Sequence, residues 1–260
     1  MLADSRSRRS PWPVVALVAG AAVLLYLAAA VLSFTGPRFG LPFATGSGPV
    51  HTLDRIAPVG ALQSAQLQLG YGASHISIAS GDTGADLYRA HFEYTDNVQP
   101  TAALDSTKGL VTVGIHNRPA VCFFGCNQQA TLRLTLNDRL PWKLSLSGGA
   151  SDGSLDLRSL KLSSLDVSGG ATHVSMDLPA PAGEIPLTLE GGANSVQITA
   201  PSGTESRVEV SGGATSMRVN GSNSSGFGHD LRYESTGFAA ATDRYVITVS
   251  GGANDINLNT

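Results

Sequence analysis

The chain has 260 residues and a formal net charge of −3 from 17 basic and 20 acidic side chains, without the basic excess that neutralising a phosphate backbone requires, so nucleic acid is not an expected partner. Only 14% of residues are charged, against roughly 25% in an average soluble domain, and 30 are glycine, which is the make-up of a turn-rich β protein. The long apolar residues gather in a single N-terminal run, which excludes a polytopic transporter.

Met1 to Ser10 carries Arg6, Arg8 and Arg9, and no further charge follows until Arg38. The run Val14 to Phe34 is 21 residues long, about what a ~30 Å hydrocarbon core needs in a helix. Arginines ahead of it hold the N-terminus in the cytoplasm by the positive-inside rule. A cleaved signal peptide would use the small residues Ala28 to Ala30, but the run exceeds the roughly 7–15 residues of such a segment, so an uncleaved single-pass anchor in the cell membrane is expected. Residues 1–11 are then a cytoplasmic tail, 12–34 the transmembrane helix, and 35–61 a linker in which Gly, Pro, Ser and Thr break every apolar period. The rest lies outside the membrane, and the bilayer is the first expected partner, through Val14–Phe34.

Residues 62–143 open with Leu67/Leu69, a Gly70-Tyr71-Gly72 corner and Ile76/Ile78, a degenerate copy of the repeat that fills residues 144–260. The stretch from Asp82 to Trp142 then holds three strand-like runs, around Ala90–Tyr94, Gly109–Ile115 and Ala130–Leu136, expected as an antiparallel cap or a curved sheet continuous with the stack.

From residue 144 to 260 a repeat dominates. Gly-Gly-Ala occurs at Gly148-Gly149, Gly169-Gly170, Gly191-Gly192, Gly212-Gly213 and Gly251-Gly252, with spacings of 21, 22, 21 and 39 residues. An alternating apolar pair precedes each corner, such as Leu144/Leu146 or Leu165/Val167, and a second alternating stretch follows it, such as Val174/Met176 or Val196/Ile198. Period-two alternation specifies half-buried strands, and glycine marks a corner that residues with a Cβ turn poorly. Two strands and a corner in 21 or 22 residues match one coil of a β-solenoid, while a sandwich of hairpins would also use Gly-Gly corners. The expected fold is therefore all-β: a stacked β-solenoid or roll with an antiparallel cap, after one N-terminal transmembrane helix. The wide gap before the last corner reads as a loop, Gly221 to Thr242, extruded from one coil. Ending at Ile256/Leu258, the last coil is expected at the end of the stack, bare or covered by Phe227, Tyr233 and Phe238 of that loop.

The anchor, the run from Ser64 to Asp82, the repeats from Leu144 to Ile198 and the closing Val246 to Leu258 together resemble the bacterial toast-rack domain proteins, relatives of LiaF-like proteins of the cell-wall-active-antibiotic response and of adhesin-type β domains. The resemblance implies an envelope protein without enzymatic chemistry, although LiaF-like members carry several membrane spans where this chain has one.

Cys122 and Cys126 are the two cysteines, and outside the membrane they are read as a small disulfide loop, with free thiols or a metal site as alternatives. The six histidines stand singly and read as solvated loop residues. His75 and His173 do occupy equivalent repeat positions, with Asp152 in the copy between. Asp156 and Asp177 fall on adjacent coils at the spacing a retaining glycosidase would use, about 5 Å, but a solvated polar face explains them as well. No catalytic, cofactor or metal residue is assigned and no cofactor is expected. The expected role is a membrane-anchored, non-catalytic envelope module that binds another envelope protein or itself; the alternative is a surface adhesin or glycan-binding domain.

Overall fold

Alternating side chains demand sheets with one face wet, and that is what the chain builds. The computed structural model describes residues 49–70, 73–96, 98–117, 129–212, 214–226, 231–251 and 253–260. The expected tail and transmembrane helix, Cys122 and Cys126, and Gly72, Gly213, Gly252, Phe227 and His229 lie outside these residues. Among the described residues, nineteen strands follow one another. They are β1 (Val50–Pro58), β2 (Ala65–Gly70), β3 (Ala73–Gly81), β4 (Asp86–Thr95), β5 (Val98–Asp105), β6 (Leu110–Asn117), β7 (Ala130–Asn137), β8 (Pro141–Ser147) and β9 (Ala150–Asp156). Then come β10 (Lys161–Ser168), β11 (Ala171–Asp177), β12 (Glu184–Glu190), β13 (Ala193–Thr199), β14 (Glu205–Ser211), β15 (Ala214–Val219), β16 (Ser222–Gly226), β17 (Leu231–Glu234), β18 (Arg244–Ser250) and β19 (Ala253–Asn259).

Two mixed sheets result. Sheet A runs β1-β4-β7-β3-β9-β11-β13-β19-β15-β16, and sheet B runs β17-β14-β18-β12-β10-β8-β2-β6-β5. Seven successive strand pairs among the described residues, β2/β3, β6/β7, β8/β9, β10/β11, β12/β13, β14/β15 and β18/β19, each give one strand to either sheet, and these units pair in parallel with their neighbours. Register aligns the inward residues in rows. Val111, Leu67, Leu144, Leu165, Leu187, Ile247 and Val208 form one such row in sheet B. Its counterpart in sheet A is Leu132, Ile76, Gly153, Val174, Val196, Ile256 and Met217. Both rows belong to one continuous core, where each buried aliphatic contributes roughly 1.5–3 kcal/mol. Gly153 interrupts the second row and leaves a void of about 50 Å³ against Ile76, Leu155 and Val174.

Of the two forms expected for residues 82–142, a cap or a sheet continuous with the stack, the second is found: β6/β7 pair in parallel register with β2/β3, the degenerate copy, which in turn pairs with the later repeats, while β1, β4 and β5 make antiparallel pairs only. Two other expectations are corrected. The linker expected through residue 61 contains β1, which has a neighbour on one side only and is wet on both faces, so it needs no apolar alternation. Finally, the last unit is not at the end of the stack. β18 lies between β12 and β14, and β19 between β13 and β15, so the final strands are interior ones.

The segment read as an extruded loop closes that end instead. Asn220 and Gly221, with φ of 48° and 81°, make the two-residue turn from β15 into β16, which pairs antiparallel with it. β17 adds antiparallel to β14, with Tyr233 opposite Val208. Phe238 is buried, and the guanidinium groups of Arg207 and Arg244 lie over its ring at 4.2 and 4.6 Å from the centroid.

At the corners the first glycine of each pair carries the unusual backbone, with φ of 126° at Gly148, 133° at Gly169, 116° at Gly191, 96° at Gly212 and 116° at Gly251. A Cβ on Gly169 would sit 2.3 Å from the Gly148 carbonyl oxygen, and one on Gly191 2.5 Å from that of Gly169. The second glycines of the first two pairs are easier: a Cβ on Gly149 or Gly170 would meet its nearest neighbour at 3.3 or 3.8 Å. Stacked corners are thus joined backbone to backbone, as when the Gly169 N–H donates to the Glu190 carbonyl at 2.9 Å.

Candidate functional site

The outward residues of sheet A fall into rows for the same reason as the inward ones. One row reads Thr131, His75, Asp152, His173, Ser195, Asp255 and Ser216 across successive strands. Asp152 therefore stands between two histidines, its Oδ2 3.2 Å from His75 Nε2 and its Oδ1 3.4 Å from His173 Nδ1. Further along, the Ser216 hydroxyl donates to Asp255. The parallel row two residues on reads Arg133, Ser77, Ser154, Ser175, Gln197 and Asn257. Between the rows lies an open groove of about 580 Å³, lined by both histidines, Asp152, Arg133, the serines and Gln197.

Toward β1 a second charged cluster adjoins it. His91 Nδ1 lies 2.6 Å from Asp54 Oδ1, and His91 Nε2 lies 3.5 Å from Glu93 Oε1, which also accepts from Arg133. The hydrogen bond from Arg133 holds the Glu93 carboxyl below its ordinary value, with the charge of Arg133 and then His91 adding to it. These histidines lie on strands rather than in the loops expected of them. Equivalence of His75 and His173 was visible in the repeat, but that they flank Asp152 follows only from the parallel register.

The Asp156 and Asp177 pair is also in register on adjacent strands. Arg158 grips Asp156 with two hydrogen bonds, Nε to Oδ1 at 2.8 Å and Nη2 to Oδ2 at 2.6 Å, and holds its carboxyl below the usual range. A carboxylate so held is a poor proton donor, which is the opposite of what a glycosidase acid needs. Among the described residues no group of three or more His, Cys, Asp or Glu side chains is arranged to hold a metal ion. The groove instead offers exposed hydrogen-bonding groups: the side chains of Arg133, His75, Asp152 and His173 are 59%, 61%, 53% and 65% exposed. Ion pairs this wet contribute little to stability, about 0–1 kcal/mol each, and leave their groups open to exchange partners.

The family model for the N-terminal domain of toast_rack, DUF2154, matches residues 47–199. No curated protein matches the chain. A Clostridium sporogenes protein described as a candidate cell adhesion protein is similar in fold, with a TM-score of 0.62 and 18% identity over 81% of this chain and 99% of that one. A candidate adhesin from Bacteroides fragilis aligns over 82% of this chain and 97% of its own, at 8% identity and a TM-score of only 0.24.

Proposed function

Since this chain belongs to the family of the toast_rack N-terminal domain, we propose that it is a non-catalytic, membrane-tethered module of the cell envelope that binds other envelope proteins through the outer face of sheet A. The groove beside Asp152 carries the reading. It is open, is made of exposed side chains at repeated strand positions, and holds charged groups already paired rather than desolvated for acid–base work. Val14–Phe34 supplies a stretch of anchor length, and the arginines before it favour a cytoplasmic N-terminus, which puts the β domain outside the membrane. In the same reading the seven units are turns of a short solenoid, a stiff body that presents the face to partners during envelope stress.

A glycan is the second reading, favoured by the hydroxyl and amide groups of Ser77, Thr131, Ser154 and Gln197 in the groove. Against it, the lining includes none of the aromatic rings on which sugars stack. A photo-cross-linker placed at Ser175 of the full-length protein, in native membranes with and without cell-wall stress, separates the two. The expected product is a discrete protein adduct that disappears when Arg133 and Gln197 are replaced by alanine. Adducts that resist protease but yield to polysaccharide hydrolysis would transfer the function to glycan binding, and no adduct under either condition would end both readings.

A further inference from the structure

Four strands stand at the limits of the two sheets: β1 and β16 in sheet A, β5 and β17 in sheet B. Free N–H and C=O groups along an edge invite another strand, and proteins blunt such edges with short strands, charges or proline. All four carry or adjoin charges, Asp54 and Arg55 in β1 among them, but three of the four are also blunted by a short strand or an internal proline. β16 has five residues, β17 has four with Arg232 and Glu234 in ion pairs, and β5 carries Pro100. β1 is nine residues long and has proline only at its last position, Pro58. Ala57 alone of these nine is buried, and Val50 and Ile56, 63% and 59% exposed, are the large apolar side chains left exposed among the described residues.

We propose that β1 pairs antiparallel with β1 of a second copy of this chain, centred on Leu53, so that two copies of sheet A become one. Opposed residues of an antiparallel pair share a face, and it is their side chains that stabilise the pairing. With Leu53 opposite Leu53, Val50 of each copy lies opposite Ile56 of the other, so the two exposed aliphatics cover each other at both ends of the contact. On the same face Thr52 opposes Asp54, whose carboxylate is already engaged by His91 of its own copy. On the inner face His51, bound to Asp96, opposes Arg55. Neighbouring registers are worse: a centre at Asp54 sets two carboxylates together and Val50 against Pro58, and a centre at Thr52 leaves Ile56 with nothing of β1 opposite. The second copy is thus chosen by the strand's own complementarity. Pairing also brings the two outer faces of sheet A onto one side, giving a bivalent surface with a groove on each half, which goes beyond the single-copy function above.

Cysteine cross-linking of the full-length protein in membranes tests this, with both native cysteines replaced by serine. Leu53→Cys should give a covalent dimer on oxidation. Arg55→Cys should not, because its two copies would lie roughly 13 Å apart along the strands. Without any cysteine change, the detergent-solubilised wild-type protein should sediment as a dimer and Ile56→Lys as a monomer with the same melting temperature. A monomeric wild type, cross-linking at Arg55→Cys as readily as at Leu53→Cys, or an Ile56→Lys protein that remains dimeric would each overturn the proposal. The Ser175 adduct is read on the groove and these products on β1, so either reading can fail while the other stands.

Discussion

The two ends of the stacked sheets are closed in different ways. At one end the strands are long: β4 has ten residues and buries Tyr88 and Phe92, β5 has eight, and β1 continues sheet A with nine. At the other end β16 and β17 have five and four residues; Leu231 and Tyr233 of β17 pack against the core, and the buried Phe238 ring lies against the guanidinium groups of Arg207 and Arg244, with Arg207 paired to Glu234 at 2.9 Å. Long strands close a core by adding sheet, and so hand an open edge to the next strand. Short strands under a packed segment close it by covering, which ends the sheet. One protein therefore carries a terminus built to stop and another built to be extended.

The largest effect should come from removing the cover. Phe238→Ala loses a buried ring and both cation–π contacts and is expected to destabilise by about 3–5 kcal/mol in denaturant titrations. Ile56→Ser at the opposite end, on an exposed side chain, should stay within about 0.5 kcal/mol for the isolated copy. Equal losses at both ends would remove the distinction. Between the ends, the corners supply a calibration: Gly169→Ala should cost about 1–3 kcal/mol through backbone strain and the close Gly148 carbonyl, and Gly170→Ala clearly less. Calorimetry that found the two alanine variants equally stable would show the asymmetry of the corners to be irrelevant. Gly153→Ala should act in the other direction, raising stability by about 0.4–1 kcal/mol, since it enters the void with no contact closer than 4.0 Å and an ordinary φ.

The smallest effect is acid sensitivity. Glu93 at the β1 end and Glu234 at the covered end both have carboxyls held below the ordinary value of 4.5, chiefly by hydrogen bonds from Arg133 and Arg207. A depressed carboxyl contributes stability that is fully present above the unfolded-state value and is lost as pH falls through the folded-state one. Melting temperature should therefore decline below about pH 4.5, more weakly at high salt because both groups are exposed. Arg133→Gln should remove the share of one end and Arg207→Gln that of the other. The comparison is made on the pH slope, because Arg207 also supports Phe238. A slope unchanged by either variant would mean that these ion pairs do not differ between the folded and unfolded chain.

Local residues made the units legible and left their order hidden. Alternation on either side of Gly-Gly identifies each strand–corner–strand unit, because burial on one face and a crowded corner are local demands. Stacking order is not a local demand. Val208/Val210 and Ile247/Val249 present the same apolar pair, so either unit fits beside Leu187/Leu189, and only the pairing of β18 with both β12 and β14 decides. Asn220-Gly221 is a dipeptide suited to a two-residue hairpin turn and its φ values fit that turn, but the segment from Gly221 on reads as loop, which hides β16. β1 gave no periodic signal because an edge strand wet on both faces has no buried side to mark. The groove was half legible: equivalence of His75, Asp152 and His173 lay in the repeat, and their contact required the register.

The interior position of β18 and β19 has a consequence for how the chain assembles. A stack wound in order could grow one unit at a time behind the ribosome, each arrival resting on the one before it. Here β14 and β15 are made before the two strands they pair with, and the slot between them and β12 and β13 stays unfilled until residues 244–259 arrive. The covered end, with Phe238 and its arginines, must therefore wait on residues 244–259, since Arg244 belongs to β18 itself. A chain stopped near residue 243 would not be a slightly shorter stack; it would be one with its keystone missing, in which β14 and β15 keep only their antiparallel partners β17 and β16 and have no parallel strand to join them to β12 and β13.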